Sequence, residues 1–147
     1  MVKNPLRGHC LCGDVRFRIE GEPLDAGACH CTQCQRWSGP YWSSVNVGQH
    51  ELVLENGQES LTWYPSSDHA ERGFCLLCGS SLFWRQSSPE AQRVAVSLGA
   101  LDQPSGLEVA YHIFTADAGD TYEVPRGVPH HAGFPDLPGR PDAASNE

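Results

Sequence analysis

The sequence predicts a mainly β protein, and three observations carry that prediction. Residues 14–20 alternate strictly, with Val15, Phe17 and Ile19 on one side of the chain and Asp14, Arg16, Arg18 and Glu20 on the other, the period of a half-buried strand. The same period returns in Ser43, Val45 and Val47, in Val94, Val96 and Leu98, and in Val109, Tyr111 and Ile113. Outside one short segment, no stretch sustains a helical period.

Taken in order, the first strand ends at Gly21-Glu22-Pro23, and the chain passes through Gly27 and Ala28 into Cys29-His30-Cys31-Thr32-Gln33-Cys34. Thr32 is the predicted cap of a short helix over Gln33 to Trp37, which Gly39-Pro40 ends. Strands follow over 41–47, 51–55 and 61–64, with Asn56-Gly57 as a hairpin signal between the last two and Pro65-Ser66-Ser67-Asp68 as a turn. A second cysteine pair lies between Phe74 and Leu82-Phe83-Trp84. From about Pro125 the composition changes, and Pro125, Pro129, Pro135, Pro138 and Pro141 mark 126–147 as a proline-rich tail, wrapped on the domain or mobile, behind one domain over 1–125.

At 147 residues, one domain can bury a useful core without covalent staples. No apolar run approaches the roughly 20 residues that cross a bilayer, and the N-terminus lacks the apolar core of a secretory signal, so a cytoplasmic location is expected. The formal net charge of −8 argues against nucleic acid and anionic membranes as partners, since both need a basic field. In a reducing compartment, seven cysteines in C-x-C and C-x-x-C spacings point to metal rather than disulfides.

Those cysteines divide as four plus three. Cys10-Leu11-Cys12-Gly13 and Cys75-Leu76-Leu77-Cys78-Gly79 each end in glycine, the residue that lets backbone N–H groups turn toward a bound sulfur in a tight knuckle. Together Cys10, Cys12, Cys75 and Cys78 make a closed, structural zinc site. Cys29, Cys31 and Cys34 converge within one turn of chain and supply only three ligands, which leaves a fourth position on a second zinc for water, substrate or an outside thiol. His30, between two of these ligands, is expected to point away from the metal, and the four tryptophans are read as core aromatics.

The order of these motifs resembles one known family. Cys10-x-Cys12-Gly13, then Cys29-His30-Cys31-x-x-Cys34 with Arg36, Ser38 and Gly39, then Phe74-Cys75-x-x-Cys78-Gly79-Ser80-x-Leu82-Phe83, then His112-Ile113-Phe114 is similar to the glutathione-dependent formaldehyde-activating enzyme / centromere protein V family, over roughly residues 8–125. The resemblance implies a β-tent of packed antiparallel sheets, the same division of the cysteines between two zincs, and carbon–sulfur lyase-type chemistry in which glutathione and formaldehyde give S-(hydroxymethyl)glutathione. Where many members resemble a Lys-Ala-Pro-Trp run, this chain has Asp117-Ala118-Gly119-Asp120-Thr121-Tyr122, an acidic segment that disfavours a doubly carboxylated thiol.

Three thiolates leave zinc a weak Lewis acid but a good holder of an incoming thiol, whose sulfur can attack a small aldehyde beside it. The expected partners are therefore a small-molecule thiol, glutathione as co-substrate or a smaller one, and formaldehyde or another small carbonyl compound. An anionic thiol needs a local cation. Arg36 is best placed by sequence, next to the catalytic Cys29, Cys31 and Cys34, with Arg16, Arg18, Arg72 and Arg85 on neighbouring strands. The alternative reading is a non-catalytic two-zinc domain that binds a partner protein or ligand.

Overall fold

The computed structural model describes residues 5–135. Two sheets make the fold. The smaller has three strands in the order β1-β2-β5: β1 (Leu6–His9), β2 (Arg16–Ile19) and β5 (Leu52–Asn56), all antiparallel. The larger has seven, in the order β10-β3-β4-β9-β8-β7-β6. These are β3 (Ala26–Cys29), β4 (Trp42–Gly48), β6 (Leu61–Pro65), β7 (Ala70–Cys75), β8 (Ser81–Gln86), β9 (Arg93–Ser97) and β10 (Val109–Ile113). All its pairings are antiparallel except β10 with β3.

The period-2 pattern decides where the core sits. Val15, Phe17 and Ile19, on and just before β2, meet Val45 and Val47 of β4, Leu82 and Phe83 of β8, and Val94 and Val96 of β9 in one buried cluster. Phe17 and Phe83 touch edge to face at 5.2 Å between ring centroids. The intervening residues, Trp84 and Ala95, belong to a second cluster on the other face of the larger sheet, with Ala70, Trp42, Cys31 and Cys34. One face of that sheet therefore carries the core and the other carries the three-cysteine turn.

Two local expectations are corrected, and two strands without a sequence signal are added. The hairpin expected at Asn56-Gly57 does not form, because β5 pairs with β2 and β6 with β7, so this turn carries the chain from one sheet to the other. The Asn56 side chain fixes it by donating to the Asp14 carbonyl at 2.7 Å. Helix α1 (Thr32–Ser38) is capped by Cys31, whose Sγ accepts the Cys34 N–H, and Thr32 is its first helical residue. Strands β1 and β3 have no clear sequence signal; Ala26-Gly27-Ala28 is too small and featureless to show an alternating face.

Part of the proline-rich segment packs on the larger sheet. His112 donates its N–H to the Pro129 carbonyl, and Phe114 donates to Gly133, so the outer edge of β10 is covered by residues 129–133. Residues 136–147, with Pro138 and Pro141, lie outside the described residues. No helix among the described residues is long and apolar enough to cross a membrane.

Candidate metal centres and the pocket beside them

The four-cysteine cluster joins the ends of distant strands. Cys10 and Cys12 follow β1, Cys75 ends β7 and Cys78 precedes β8, and all four sulfurs lie within 4.8 Å of one another. The Cys10–Cys12 and Cys12–Cys75 sulfur separations are 3.5 and 3.8 Å. A tetrahedron with sulfurs at about 2.3 Å from zinc has edges of about 3.8 Å, so the donor set and its spacing fit a tetrahedral thiophilic ion. Gly13 and Gly79 take the expected left-handed conformation, with φ of 83° and 78°. The Val15 N–H turns onto Cys10 Sγ at 3.3 Å, and Ser80 Oγ lies 3.3 Å from Cys78 Sγ. Against the burial that would raise it, the Ser80 hydroxyl and N–H hold the Cys78 thiol down to about 5.

The three-cysteine cluster is local. Cys29 is the last residue of β3, and Cys31 and Cys34 cap and begin α1, with all three sulfurs again within 4.8 Å. This set also fits a thiophilic ion, with three donors rather than four. Hydrogen bonds from Cys29 and Cys31, with the Arg72 guanidinium beside it, hold the Cys34 thiol well below its ordinary range despite burial. Cys29, hydrogen-bonded to Cys31 and Cys34 and buried, is held well above it.

Beside these sulfurs is a cavity of about 40 Å³, walled by Trp42, Trp84, Ala95 and Ile113 and carrying Ser44, Asn46, Arg72 and Tyr111. Tyr111 lies directly over Gly27, where a Cβ would come within 2.3 Å of its ring, so only glycine lets the ring take this place. Arg72 is only 3% exposed. Its Nη1 donates to Cys34 Sγ at 3.5 Å, its Nη2 donates to Gln33 Oε1 at 3.2 Å, and its guanidinium carbon stands 5.0 Å from the centre of the Trp37 ring.

The structure does not bring Arg36 to this cavity. Arg36 is exposed and lines a separate hollow with Thr32, Gln35, Gly39, Pro40, Thr121 and Tyr122. Of the other arginines, Arg18 pairs with Glu20 and Glu55, Arg85 pairs with Glu71 at 2.6 Å and stacks on Trp63, and Arg16 is exposed. Arg72 alone among these five reaches the sulfurs. The available signal was its alternation with Ala70 on β7, which puts a charge on the inward side of a strand entering a knuckle.

His30 points away from the sulfurs, as expected, and is itself fully buried, in a group with the buried His112 and the half-buried Tyr41 and Tyr122. Its Nδ1 lies 2.7 Å from the Tyr122 hydroxyl and its Nε2 lies 2.9 Å from His112 Nδ1, with the Tyr41 ring tilted against His30 and edge-on to His112. Burial and the neighbouring His112 push His30 down to about 4; burial and His130 push His112 down as well. Tyr122 closes this group from the segment where the chain departs from the Lys-Ala-Pro-Trp pattern. Its role was invisible in sequence because its partner lies 92 residues away. Trp42 and Trp84 also differ from simple core residues, since they wall the cavity.

Two cysteine clusters on a two-sheet β scaffold define a class of protein whose sulfurs are placed so that they could hold metal ions. The chain belongs to the glutathione-dependent formaldehyde-activating enzyme family, whose model matches residues 5–117. An uncharacterized lyase of Schizosaccharomyces pombe is 34% identical over 77 residues, covering 52% of this chain and 55% of that protein. A Halomonas elongata protein that bears the family's name is 31% identical over 85 residues, covering 53% of this chain and 54% of the other. The chain thus spans about half the length of the curated relatives it matches. A crystal structure of a Rhodobacter sphaeroides protein superposes with a TM-score of 0.57 at 28% identity, covering 70% of this chain and 96% of that one.

Proposed function

We propose that this protein is a zinc-dependent carbon–sulfur lyase-type enzyme that joins a thiol, glutathione or a smaller relative, to formaldehyde or another small carbonyl compound as an S-hydroxymethyl adduct. The observation that carries the reading is the convergence of Cys29, Cys31 and Cys34 within 4.8 Å at the wall of a cavity of about 40 Å³. A cavity that size has room for a few water-sized groups and hence for a one- or two-carbon carbonyl compound, while a tripeptide thiol would keep its bulk outside. Family membership supports the choice of reactants.

In this reading, Cys10, Cys12, Cys75 and Cys78 hold a structural zinc and Cys29, Cys31 and Cys34 hold a second. When bound there, zinc supplies a position that takes an incoming thiol as thiolate near neutral pH. The chain's own residues do the rest. Trp42, Trp84, Ala95 and Ile113 exclude bulk water from the reacting carbon, and the His30–Tyr122–His112 group fixes the turn that carries Cys29 and Cys31.

The test is exchange spectroscopy of glutathione, formaldehyde and S-(hydroxymethyl)glutathione at neutral pH with the zinc-loaded protein. The spontaneous reaction sets the baseline, so the expected result is acceleration proportional to protein concentration and its loss in Cys31→Ser. No acceleration with any thiol while both sites hold zinc would overturn the reading in favour of a non-catalytic two-zinc domain.

A further inference from the structure

Arg72 is a buried cation with no carboxylate beside it among the described residues, and its one anionic neighbour is the Cys34 sulfur. At 3% exposure it forms none of the ion pairs found among the described residues. A guanidinium has five N–H donors. One from Nη1 goes to Cys34 Sγ and one from Nη2 goes to Gln33 Oε1, while Nε is buried with no partner. The other buried side-chain nitrogen without a partner among the described residues is Trp42 Nε1, on a residue that lines the same cavity. Buried donors are nearly always satisfied, and a buried charge normally carries its counter-charge with it. Two unsatisfied donors on residues of one small cavity, one of them on a cation, mean that what enters should bring oxygen acceptors, and a donor on a cation favours an oxygen that is negative or becomes so.

We propose that Arg72 is a catalytic residue that holds an oxyanion in the three-cysteine cavity. The ligand class is a one- or two-carbon compound whose oxygen is negative or becomes so, and formate is its simplest stable member. The inference rests on the proposed function for the identity of the reacting molecule. In that reaction the thiol sulfur gives a lone pair to the carbonyl carbon and the C–S bond forms. The C=O π pair moves onto oxygen, and the proton released by the thiol returns to that oxygen. Charge develops on the oxygen between the two proton transfers, and Arg72 lines the cavity in which it does so, where the reacting molecule itself takes the room of the few waters the cavity could hold. The same guanidinium holds Cys34 Sγ, so the ligand set and the oxygen site share one anchor.

The experiment uses the zinc-loaded protein with formate as probe and formamide as its uncharged counterpart, followed by the indole N–H signals of the four tryptophans. Formate should shift the Trp42 and Trp84 signals, leave Trp63 unmoved on β6, and bind at least about tenfold more tightly than formamide. In Arg72→Met the formate dissociation constant should rise at least about tenfold with zinc still bound at both sites, and Arg72→Lys should fall between. Equal binding of formate and formamide, or shifts confined to other tryptophans, would overturn the proposal on the wild-type protein alone, whatever becomes of the variants. Unchanged formate affinity in Arg72→Met would do so too, since the anion would then be held by zinc. If formate binds as expected but no thiol exchange is accelerated, the oxyanion site stands and the proposed reaction falls.

Discussion

The two cysteine clusters use the same ligand chemistry on opposite kinds of chain. Cys10 and Cys75 are 65 positions apart, so the four-cysteine cluster ties the three-stranded sheet to the seven-stranded one, and Cys10 and Cys75 are themselves members of the main core. Cys29, Cys31 and Cys34 span six residues, sit on the opposite face of the larger sheet and close no long loop. In the proposed two-zinc reading, folding energy gained through the first cluster belongs to the whole domain, whereas metal at the second would order little beyond one turn of chain. The difference teaches where function can be placed: an open site is tolerable only where the fold does not hang on it.

The sharpest way to break this comparison is to remove one sulfur from each cluster. Cys78→Ser should unfold the domain or lower its melting temperature drastically, because zinc binding at a structural site contributes on the order of 10 kcal/mol that is also folding energy. Cys34→Ser should keep the fold and most of the thermal stability while losing one equivalent of zinc. Thermal melts with metal analysis check both, and equal losses would mean that the cysteines are wrongly divided.

A smaller effect, confined to the second cluster, should follow from Gly27→Ala. The new methyl group would meet the Tyr111 ring at 2.3 Å and push it off the cavity wall, an overpacking cost of about 1–3 kcal/mol. The test is a denaturant titration together with chelator competition at each site. Weakened zinc at the three-cysteine site with the four-cysteine site unchanged is expected; parallel weakening at both would show the sites to be coupled.

Much of this division was legible in the sequence. The knuckle glycines and the 4 + 3 spacing place both clusters, because a C-x-C or C-x-x-C pair needs only its own few residues to converge. The alternation in Val15-Phe17-Ile19 and Val94-Val96 finds the core for the same reason, since the signal is local. What was not legible depends on contacts far apart in the chain. Arg72 meets Cys34 across 38 residues and His30 meets Tyr122 across 92, and no periodicity within a strand records which distant partner a side chain will face. Asn56-Gly57 misled for a related reason: the dipeptide specifies a turn, but the strand partners are chosen by burial on two different sheets.

A graded effect is expected with pH. His30 is held down to about 4 and His112 is held below its ordinary value, so the unfolded chain binds protons that the folded rings refuse. Stability should therefore decline as pH falls below the usual histidine value of 6.5 toward about 4, and be unaffected by these rings above neutrality. Thiolate protonation at the metal sites acts in the same acidic direction, so the measurement is a difference. The change in urea midpoint between pH 7 and pH 5 should be smaller in His112→Phe than in the wild type. An identical change in both proteins would remove His112 as a source of it.

The smallest effect concerns Arg36, the residue that sequence position favours and the structure sets apart. Its side chain is exposed in a hollow bordered by Thr121 and Tyr122, while the guanidinium that reaches the cavity is that of Arg72. An exposed arginine that forms no ion pair among the described residues contributes little to folding, so Arg36→Ala should change stability by no more than about 0.5 kcal/mol. Its charge acts on a ligand only through solvent-screened distance, and screening is nearly complete beyond about 8–10 Å at physiological salt. The KM for glutathione should then shift by less than about twofold, and the KM for an uncharged thiol should not shift at all. Steady-state kinetics with both thiols decides it. A rise in KM for glutathione alone would give the exposed hollow a part in holding the carboxylates of the thiol, and would extend the three-cysteine site from its buried cavity across the surface of α1.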